Sequence, residues 1–305
     1  MNVLELFAGI GGLAEAAAGA HRVVAAVDHD RRALDVYAAN FPDHRREVKN
    51  LAYVTPGWLR AFDADLWWMS PPCAPHGVRG NREDLADPRS AAFVNVLRAL
   101  VEVRPRAVAL ENVPGFAGSL AHAALREACD AAGLVHREER EICPTLLGIP
   151  GVRRRFYLVA SREPLAIGPP PVAPVRLVDL LGPDDPALAV PAAVVERFGG
   201  AFHRVDPADP QAVAACFTRA YGTSPVYAGS YLVRGDGAGL DGVRYFAPEE
   251  IARLHGHRRN WSFAGLPVRA GWKLVGNGLS VPVVRWVLSW LGAHHDDQTT
   301  AGRMR

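Results

Sequence analysis

The chain has 305 residues, of which 49% are hydrophobic and 22% charged, as is ordinary for a soluble globular protein of one large domain, or of one domain with a smaller second one. No apolar run approaches the roughly 20 residues that a membrane span needs, and no basic leader precedes the first strand pattern, so we expect a cytoplasmic protein. None of the four cysteines has the C-x-x-C spacing of a zinc site or a redox motif. With a net charge of only +2, any binding to nucleic acid must come from a local basic face.

Strand and helix patterns alternate along the first half of the chain. Apolar strand patterns cover 2–7, 22–30, 64–70, 106–113 and 154–161. Helical spacing covers 14–20, 31–41, 90–103 and 118–133. This alternation predicts an α/β fold built on a doubly wound, mostly parallel, Rossmann-like sheet.

The regular pattern ends after Ser161, where a proline-rich segment begins. From there to about Phe263 the chain is short of regular helices and rich in Gly, Tyr, Arg and Pro, which indicates a small, irregular domain. A turn and an apolar helix pattern return over 271–292. We therefore predict one domain from 1–163 and 270–293, a small second domain over 164–269, and a disordered tail over 294–305.

A cysteine stands in the turn after the third strand pattern, in "MSPPCAPHGVRG". Pro71 and Pro72 end the strand and stiffen the turn, because proline has a fixed φ and no N–H. Ligands bind at the carboxyl ends of strands in open α/β sheets. Cys73 is therefore a candidate site residue, and a structural cysteine in a tight turn is the alternative.

Glycines fill the turn between the first strand and the first helix, in "LFAGIGGL". Gly9, Gly11 and Gly12 let the backbone approach a ligand and leave helix N–H groups available to it. Asp28 ends the second strand pattern at the spacing of a carboxylate that binds ribose hydroxyls in this kind of fold. The alternative is that Asp28 caps the helix that begins near Arg31.

An acid ends the fourth strand pattern, in "LENVPGF". A carboxylate such as Glu111 is costly inside a sheet unless it serves a partner, so we predict a chemical role for it. The alternative is that Glu111 and Asn112 cap the next segment.

Three arginines precede the last strand pattern, in "GIPGVRRRFYLVA". Alternate residues of a strand share a face, so Arg153 and Arg155 should point together and Arg154 away from them. Two guanidinium groups on one face can hold a phosphate or a carboxylate. A solvated surface run is the alternative.

The small domain contains "CFTRAYG" and "RYFAPEEIARLHG". Tyrosines and arginines in glycine-rich loops suit base stacking and phosphate contacts, and they suit the core of a small domain nearly as well. Cys216 is either a second thiol at a site or a small buried hydrophobic residue.

The order of these motifs resembles that of the cytosine C5-methyltransferase family. The resemblance is carried by "LELFAGIGGL", "SPPC", "LENVPGF", "GIPGVRRRFYLVA", "RYFAPEEIARLHG" and "GNGLSVPVV", and leaves mainly 164–213 unassigned. It implies that 1–163 with 270–293 is the catalytic domain that binds S-adenosylmethionine, and that 164–269 is a target-recognition domain.

Within the family the chain is most similar to the branch that methylates the anticodon loop of aspartate tRNA. "MSPPC" followed by Pro75, "CFTRAYG", "RYFAPEEIA" with "GNGLSV", and the small second domain carry this similarity. The sequence departs from the family at Ala74, where Gln is usual, at His76, where an aromatic is usual, at Gly151-Val152, and at "GHRRNW" in place of Gly-Phe-Pro. The two departures beside Cys73 bear on the identity of the substrate more than on the type of reaction.

The resemblance also implies a mechanism and a set of site residues. Cys73 adds to C6 of a cytosine, C5 takes the methyl group of S-adenosylmethionine, and Glu111 hydrogen-bonds N3. Arg153 and Arg155 orient the base and the loop. Fold and resemblance together predict a cofactor site at Phe7, Ala8, Gly9, Gly11, Gly12, Leu13, Asp28, His29, Asn50, Leu51, Pro72, Asn277 and Ser280. The predicted contacts to nucleic acid are Arg79, Cys216, Phe217, Thr218 and Tyr221.

The favoured substrate is tRNA, with an anticodon-loop cytosine as the target. One alternative is a DNA cytosine methyltransferase of restriction–modification type. Its base contacts would come from Arg219, Arg234, Arg244, Arg258 and Arg259. The other alternative is a non-catalytic nucleic-acid-binding homologue. We expect a monomer with no membrane or metal partner.

Overall fold

A computed structural model describes residues 1–72, 90–233 and 242–292. The candidate residues Cys73 and Arg79 lie outside the described residues, as do Ala74, Pro75, His76 and Arg234. The predicted disordered tail, 294–305, also lies outside them.

A seven-stranded sheet forms the centre of the protein, with the strand order β3-β2-β1-β4-β5-β7-β6. Its strands are β1 (Asn2–Leu6), β2 (Arg22–Asp28), β3 (Arg46–Val48), β4 (Leu66–Met69), β5 (Ala107–Asn112), β6 (His136–Ile142) and β7 (Arg155–Ser161). The strands from β3 to β5 pair in parallel, and β7 runs antiparallel between β5 and β6. The predicted mostly parallel α/β fold is confirmed.

Helices cover both faces of this sheet. They are α1 (Gly12–Ala17), α2 (Arg31–Asn40), α3 (Pro56–Arg60), α4 (Ala91–Val103), α5 (Leu120–Ala131) and α9 (Val281–Ser289). Neighbouring side chains of β4 show the two layers, because Trp67 packs with the cluster that holds α4 and α5, and Trp68 with the cluster that holds α1 and α9. Both tryptophans are fully buried, as expected for a strand with helices on both sides.

Two strands, β3 and β6, were not predicted from the sequence. The sequence of β6 is "HREEREI", which has no apolar face. As an edge strand it needs only one partner, and it pairs with β7 along its whole length. Ion pairs also hold β6 in place, including one from Arg137 to Asp130 of α5 at 3.0 Å. Such a strand is specified by its neighbour and not by its own hydrophobicity.

The segment after β7 forms only short elements, as predicted. They are α6 (Ala192–Phe198), β8 (Arg204–Val205), β9 (Tyr231–Leu232), α7 (Pro248–Leu254) and α8 (Val268–Val275). A buried ion pair organises them, with the Arg244 guanidinium donating to both carboxylate oxygens of Glu250 at 2.8 and 2.9 Å. Glu250 also accepts the N–H of Gly182 at 2.8 Å, which fastens the proline-rich segment to α7.

The core of this small region is shared with the sheet domain. Its cluster contains Phe217, Phe246 and Trp272, together with Ile10 of the glycine turn and Val36 of α2. The helix α8 contributes Trp272 to this cluster, although the predicted boundary at 270 assigns most of α8 to the sheet domain. The division into two domains stays a prediction.

The described cysteines Cys129, Cys143 and Cys216 are free thiols. Over the ranges that the structure describes, no three His, Cys, Asp or Glu side chains are grouped to hold a metal ion. Over the same ranges, no helix has the length and apolarity needed to cross a membrane.

A buried carboxyl group lies on β1, below the glycine turn. Glu5 is 1% exposed, and the hydroxyl of Tyr37 donates to its Oε2 at 3.2 Å. Burial raises the pKa of Glu5 from 4.5 to about 8. The folded protein therefore holds a proton between these two pH values that the unfolded chain releases, and its stability falls as the pH rises through this window.

We expect Glu5→Gln to remove this pH dependence, because an amide does not ionise. The variant should gain about 4 kcal/mol relative to the parent protein between pH 4.5 and pH 8. Urea unfolding at both pH values measures the effect, with exposed Glu127→Gln on α5 as the control. An unchanged pH dependence in Glu5→Gln would contradict the prediction.

Candidate active site

The turn between β1 and α1 follows the carboxyl end of a central strand. Gly9 and Gly11 have left-handed backbones, with φ of 54° and 97°. No atom lies within 4 Å of where a Cβ of Gly9 would stand, so the backbone is open to a ligand on that side. Of the other predicted residues, Ala8 and Leu13 are buried and Phe7 is half-buried. The turn thus offers backbone groups and a small apolar surface.

Asp28 holds this turn from the end of β2. Its Oδ2 accepts the N–H of Gly9 and its Oδ1 that of Asp30, at 2.8 and 2.9 Å. Burial would raise the pKa of Asp28, but hydrogen bonds from His29, Asp30 and Gly9 lower it below its ordinary value. The cap of α2 is Asp30, whose Oδ1 accepts the N–H of Arg32, so the helix-cap alternative for Asp28 is wrong.

The neighbouring strand ends supply the remaining predicted residues on this side. Asn50 is exposed, and its Oδ1 accepts the N–H of Ala52 at 3.0 Å, which starts a short 3₁₀ helix, Leu51–Tyr53. Leu51 is buried. Pro72 is half-buried after β4 and directly precedes Cys73.

A turn from 276 to 280, between α8 and α9, lies against the glycine turn. The side chain of Leu279 stands 2.8 Å from where a Cβ of Gly12 would be, so only glycine fits there. Ser280 is 2% exposed, and its Oγ has no hydrogen-bond partner among the described residues. Asn277 is exposed. A buried hydroxyl of this kind can serve a polar ligand.

Glu111 and Arg155 form an ion pair at the carboxyl edge of the sheet. The Nε of Arg155 lies 3.1 Å from Oε1 of Glu111, and the two side chains are 13% and 6% exposed. Burial raises the pKa of Glu111, and the guanidinium groups of Arg155 and Arg153 oppose part of this rise. Because β7 is antiparallel to β5, its first residue lies where β5 ends. Strand direction thus brings the two side chains together.

The end of β5 is tied to the chain that leads to Cys73. The Nδ2 of Asn112 donates to the carbonyl of Pro71 at 3.2 Å, and Met69 lies opposite Leu110 in the sheet. Neither Glu111 nor Asn112 caps the following 3₁₀ helix, Pro114–Phe116, so the capping alternative is wrong.

The three arginines divide as predicted, with Arg153 and Arg155 turned inward and Arg154 exposed. Arg153 contacts backbone carbonyls of two loops, and its predicted role in orienting the base stays a prediction. Its guanidinium donates to the carbonyls of Phe217, Gly276 and Gly278 at 3.1, 3.2 and 2.6 Å. Arg153 is therefore a positioning residue, and Arg155 is the arginine that contacts Glu111.

Two predicted contacts to nucleic acid are wrong. Phe217 and Tyr221 are each 2% exposed, and their rings meet edge to face at 4.9 Å. The hydroxyl of Tyr221 donates to Ser230 O at 2.6 Å and accepts the N–H of Phe246 at 3.0 Å. A small region with few helices builds its core from such rings, so the core alternative is right. Cys216 and Thr218 are half-buried beside them.

Arg258, which was predicted only as a base contact of the DNA alternative, joins α1 to the small region. Arg258 forms an ion pair with Glu15 in the first turn of α1 and donates to Asn40 O at 2.5 Å, while its guanidinium lies 4.9 Å from the centre of the Phe41 ring. The signal was the departure "GHRRNW", which places this arginine where the family usually has Gly-Phe-Pro. A departure from a motif can therefore mark a replaced contact.

We expect Arg153→Met to lower the free energy of unfolding by about 3 kcal/mol or more, because three carbonyls would lose their donor. Exposed Arg154→Met is the matched control and should cost less than about 0.5 kcal/mol. Urea unfolding of both variants measures the difference. Equal losses would mean that the Arg153 contacts do not stabilise the fold.

Comparisons with known proteins show which family the chain belongs to. The family model for C-5 cytosine-specific DNA methylase matches residues 1–179. The tRNA (cytosine(38)-C(5))-methyltransferase of Schizosaccharomyces pombe is 31% identical over 95% of this chain and 96% of its own length. A DNA (cytosine-5)-methyltransferase of Dictyostelium discoideum is 27% identical over 53% of this chain and 45% of its own. The crystal structure of the S. pombe Dnmt2 methyltransferase superposes with a TM-score of 0.82 at 28% identity, over 95% of this chain and 98% of that one. The chain therefore belongs to the C-5 cytosine-specific DNA methylase family, and it is a cytosine C5 methyltransferase.

Proposed function

We propose that the protein methylates C5 of a cytosine in a tRNA loop through a covalent bond between Cys73 and C6 of the base. The observation that carries this proposal is the buried Glu111–Arg155 pair, which lies beside the chain that leads to Cys73. A buried carboxyl group with a raised pKa at the carboxyl edge of the sheet suits the activation of a pyrimidine ring.

The residues around the glycine turn fit S-adenosylmethionine, which supplies the methyl group when bound. The open backbone at Gly9 and the unpartnered hydroxyl of Ser280 offer polar contacts. Asp28 has a lone pair left on Oδ2 for a ribose hydroxyl, because Oδ2 accepts only the N–H of Gly9, whereas Oδ1 accepts the N–H of Asp30 and lies 3.2 Å from Nδ1 of His29. We assign the other predicted cofactor residues to the same site.

The chain's own groups then carry the base chemistry. The Cys73 thiolate forms a bond to C6, and Glu111 shares a proton with N3 to stabilise the charge that moves into the ring. C5 takes the methyl group, a base removes the C5 proton, and the thiolate leaves as the C5=C6 bond forms again. Arg155 holds Glu111 in place. Its positive charge opposes part of the rise in the pKa of Glu111, so the carboxyl group can both hold and release the proton that it shares with N3.

Three arguments favour tRNA as the substrate. The S. pombe relative, named for tRNA, aligns over nearly the whole chain, including the small region. Of the arginines that a DNA-reading enzyme would use, Arg244 is paired with Glu250 and Arg258 with Glu15. Neither guanidinium is available for base edges. A loop base also costs less to extract than a paired one.

We expect Cys73→Ala to abolish methyl transfer while cofactor binding persists, because only the nucleophile is lost. Cys143→Ala is the control and should keep the parent rate. RNA with 5-fluorocytidine should trap a covalent adduct with the parent protein. Fluorine replaces the C5 proton in this base, so no base can remove it and the thiolate cannot leave. Turnover or an adduct in Cys73→Ala would overturn the mechanism.

We expect Glu111→Gln to slow methyl transfer about 100-fold or more, because an amide cannot supply a proton to the ring. The fold should change little, since the amide keeps the shape of the carboxyl group. Glu141→Gln, at an exposed residue beside Arg154, is the control. An unchanged rate would remove Glu111 from the chemistry.

The substrate is tested with labelled S-adenosylmethionine and two acceptors, total tRNA and unmethylated genomic DNA, with Cys73→Ala as the blank. We expect label in tRNA. Label in DNA alone would assign the chain to the DNA methyltransferases and would turn attention to exposed Arg219 and Arg259 as base contacts.

A further inference from the structure

The glycine turn between β1 and α1 is supported from two sides. A Cβ on Gly11 would stand 2.9 Å from ring atoms of both Tyr37 and Phe41, so the turn packs against these rings. On the other side the carbonyl of Gly11 accepts the N–H of Glu15 at 3.0 Å, which links the turn to the first turn of α1. The backbone of the turn therefore depends on where the Phe41 ring and Glu15 are held.

Arg258 of the small region contacts both of these supports. Its guanidinium and its backbone N–H donate to the Glu15 carboxylate, the N–H at 3.1 Å. The guanidinium also lies 4.9 Å from the centre of the Phe41 ring, a favourable position for a cation. One side chain thus joins the ring on one side of the glycine turn to the carboxylate on the other.

The guanidinium is itself held firmly in place. It donates to Asn40 O at 2.5 Å, and Asn40 binds the backbone of Ser262 through both of its side-chain atoms, Nδ2 to Ser262 O at 2.8 Å and Oδ1 to Ser262 N at 3.0 Å. The side chains of Arg258 and Glu15 are 33% and 12% exposed, so water screens their attraction less than it screens a surface pair. The segment 257–262 is therefore fastened to both α1 and α2.

Such a fastening matters most at a turn made of glycines. Gly9 and Gly11 have left-handed backbones, and glycine is the residue that restricts its own backbone least. A ligand binds only the fraction of molecules in which its site has the right shape, so contacts that select this shape raise the affinity. A side chain can do this without touching the ligand.

We propose that Arg258 is a positioning residue of the cofactor site, which holds the glycine turn in the shape that binds S-adenosylmethionine. This inference rests on the proposed function, because it takes the glycine turn as the cofactor site. It adds a residue of the small region to a site whose predicted residues all come from the sheet domain. It also gives a role to the segment in which the sequence departs from its family.

The test compares cofactor binding with turnover. Calorimetry gives Kd for S-adenosylhomocysteine, and methyl transfer to total tRNA gives kcat and the KM for S-adenosylmethionine. Arg258→Met should raise Kd and KM about 10-fold, because fewer molecules have the turn in its binding shape. The value of kcat should stay within about two-fold of the parent, because saturating cofactor restores the turn.

Arg45→Met is the matched control. Arg45 also combines a carboxylate with a ring, since it donates to Glu47 at 2.9 and 2.8 Å and lies 4.6 Å from the centre of the Phe62 ring. It directly precedes β3, at the amino edge of the sheet, and makes none of the contacts to the glycine turn described above. This variant should keep the parent Kd and KM.

Glu15→Gln tests the pair with a milder change, and it carries the test if Arg258→Met does not fold. An amide can keep a hydrogen bond to Arg258 but loses the charge, so Kd should rise about 3-fold. In the Arg258→Met background the same substitution should add nothing, because the partner is already gone. Additive losses, or the parent Kd in Glu15→Gln, would overturn the inference.

A purely structural role for Arg258 gives a different result. In that case Arg258→Met would lower Tm but keep the parent Kd and KM at temperatures well below Tm, and the inference would be wrong. A fall in kcat with an unchanged KM would also contradict it.

The two proposals fail separately. If the parent protein methylates tRNA and Arg258→Met binds S-adenosylhomocysteine normally, only this inference is wrong. If the parent protein binds S-adenosylhomocysteine through a turn that needs Arg258 but does not methylate tRNA, the proposed function is wrong and the positioning role stands. A parent protein that binds neither S-adenosylmethionine nor S-adenosylhomocysteine would overturn both.

Discussion

The active site depends on one buried guanidinium, that of Arg153. Its three carbonyl acceptors come from the small region and from the turn before α9, which are far apart in the sequence. The same backbone continues directly into β7, where Arg155 meets Glu111. The antiparallel direction of β7 makes this possible, because a parallel strand would begin at the opposite edge of the sheet. A loop of the small region, the turn from 276 to 280 and Glu111 are thereby held around one point.

Three buried carboxyl groups near this edge differ in their environments and so in their protonation. Burial dominates at Glu5 and at Glu111, and the pKa of each is raised. Asp28 is also buried, but hydrogen bonds from His29, Asp30 and Gly9 stabilise its ionised form. One sheet edge therefore carries both a stable anion, suited to hydroxyl donors, and a carboxyl group that can hold a proton.

Much of the fold and part of the site could be predicted from the sequence. The apolar strand patterns and the helical spacing gave the sheet domain, since strands buried on both faces are marked by their own composition. The strand ends indicated Glu111 and the glycine turn. The strand β6 could not be found in this way, because its partner specifies it. The aromatic residues of "CFTRAYG" fit a core and a surface equally well, and only the tertiary packing assigns Phe217 and Tyr221 to the core and leaves Tyr227 outside it. The hydrogen bonds of Arg153 were equally hidden, because backbone carbonyls leave no mark on the sequence.

The position of α9 has a consequence for synthesis on the ribosome. This helix covers the face of the sheet that includes Val3 and Trp68, yet almost the whole described chain separates it from β1. During translation the part of that face that α9 covers must stay exposed until α9 leaves the exit tunnel, although α1 can already cover the rest of it and the opposite face can pack against α4 and α5. The nascent chain therefore exposes an apolar surface for most of its synthesis, which is the state that chaperones bind and in which aggregation begins.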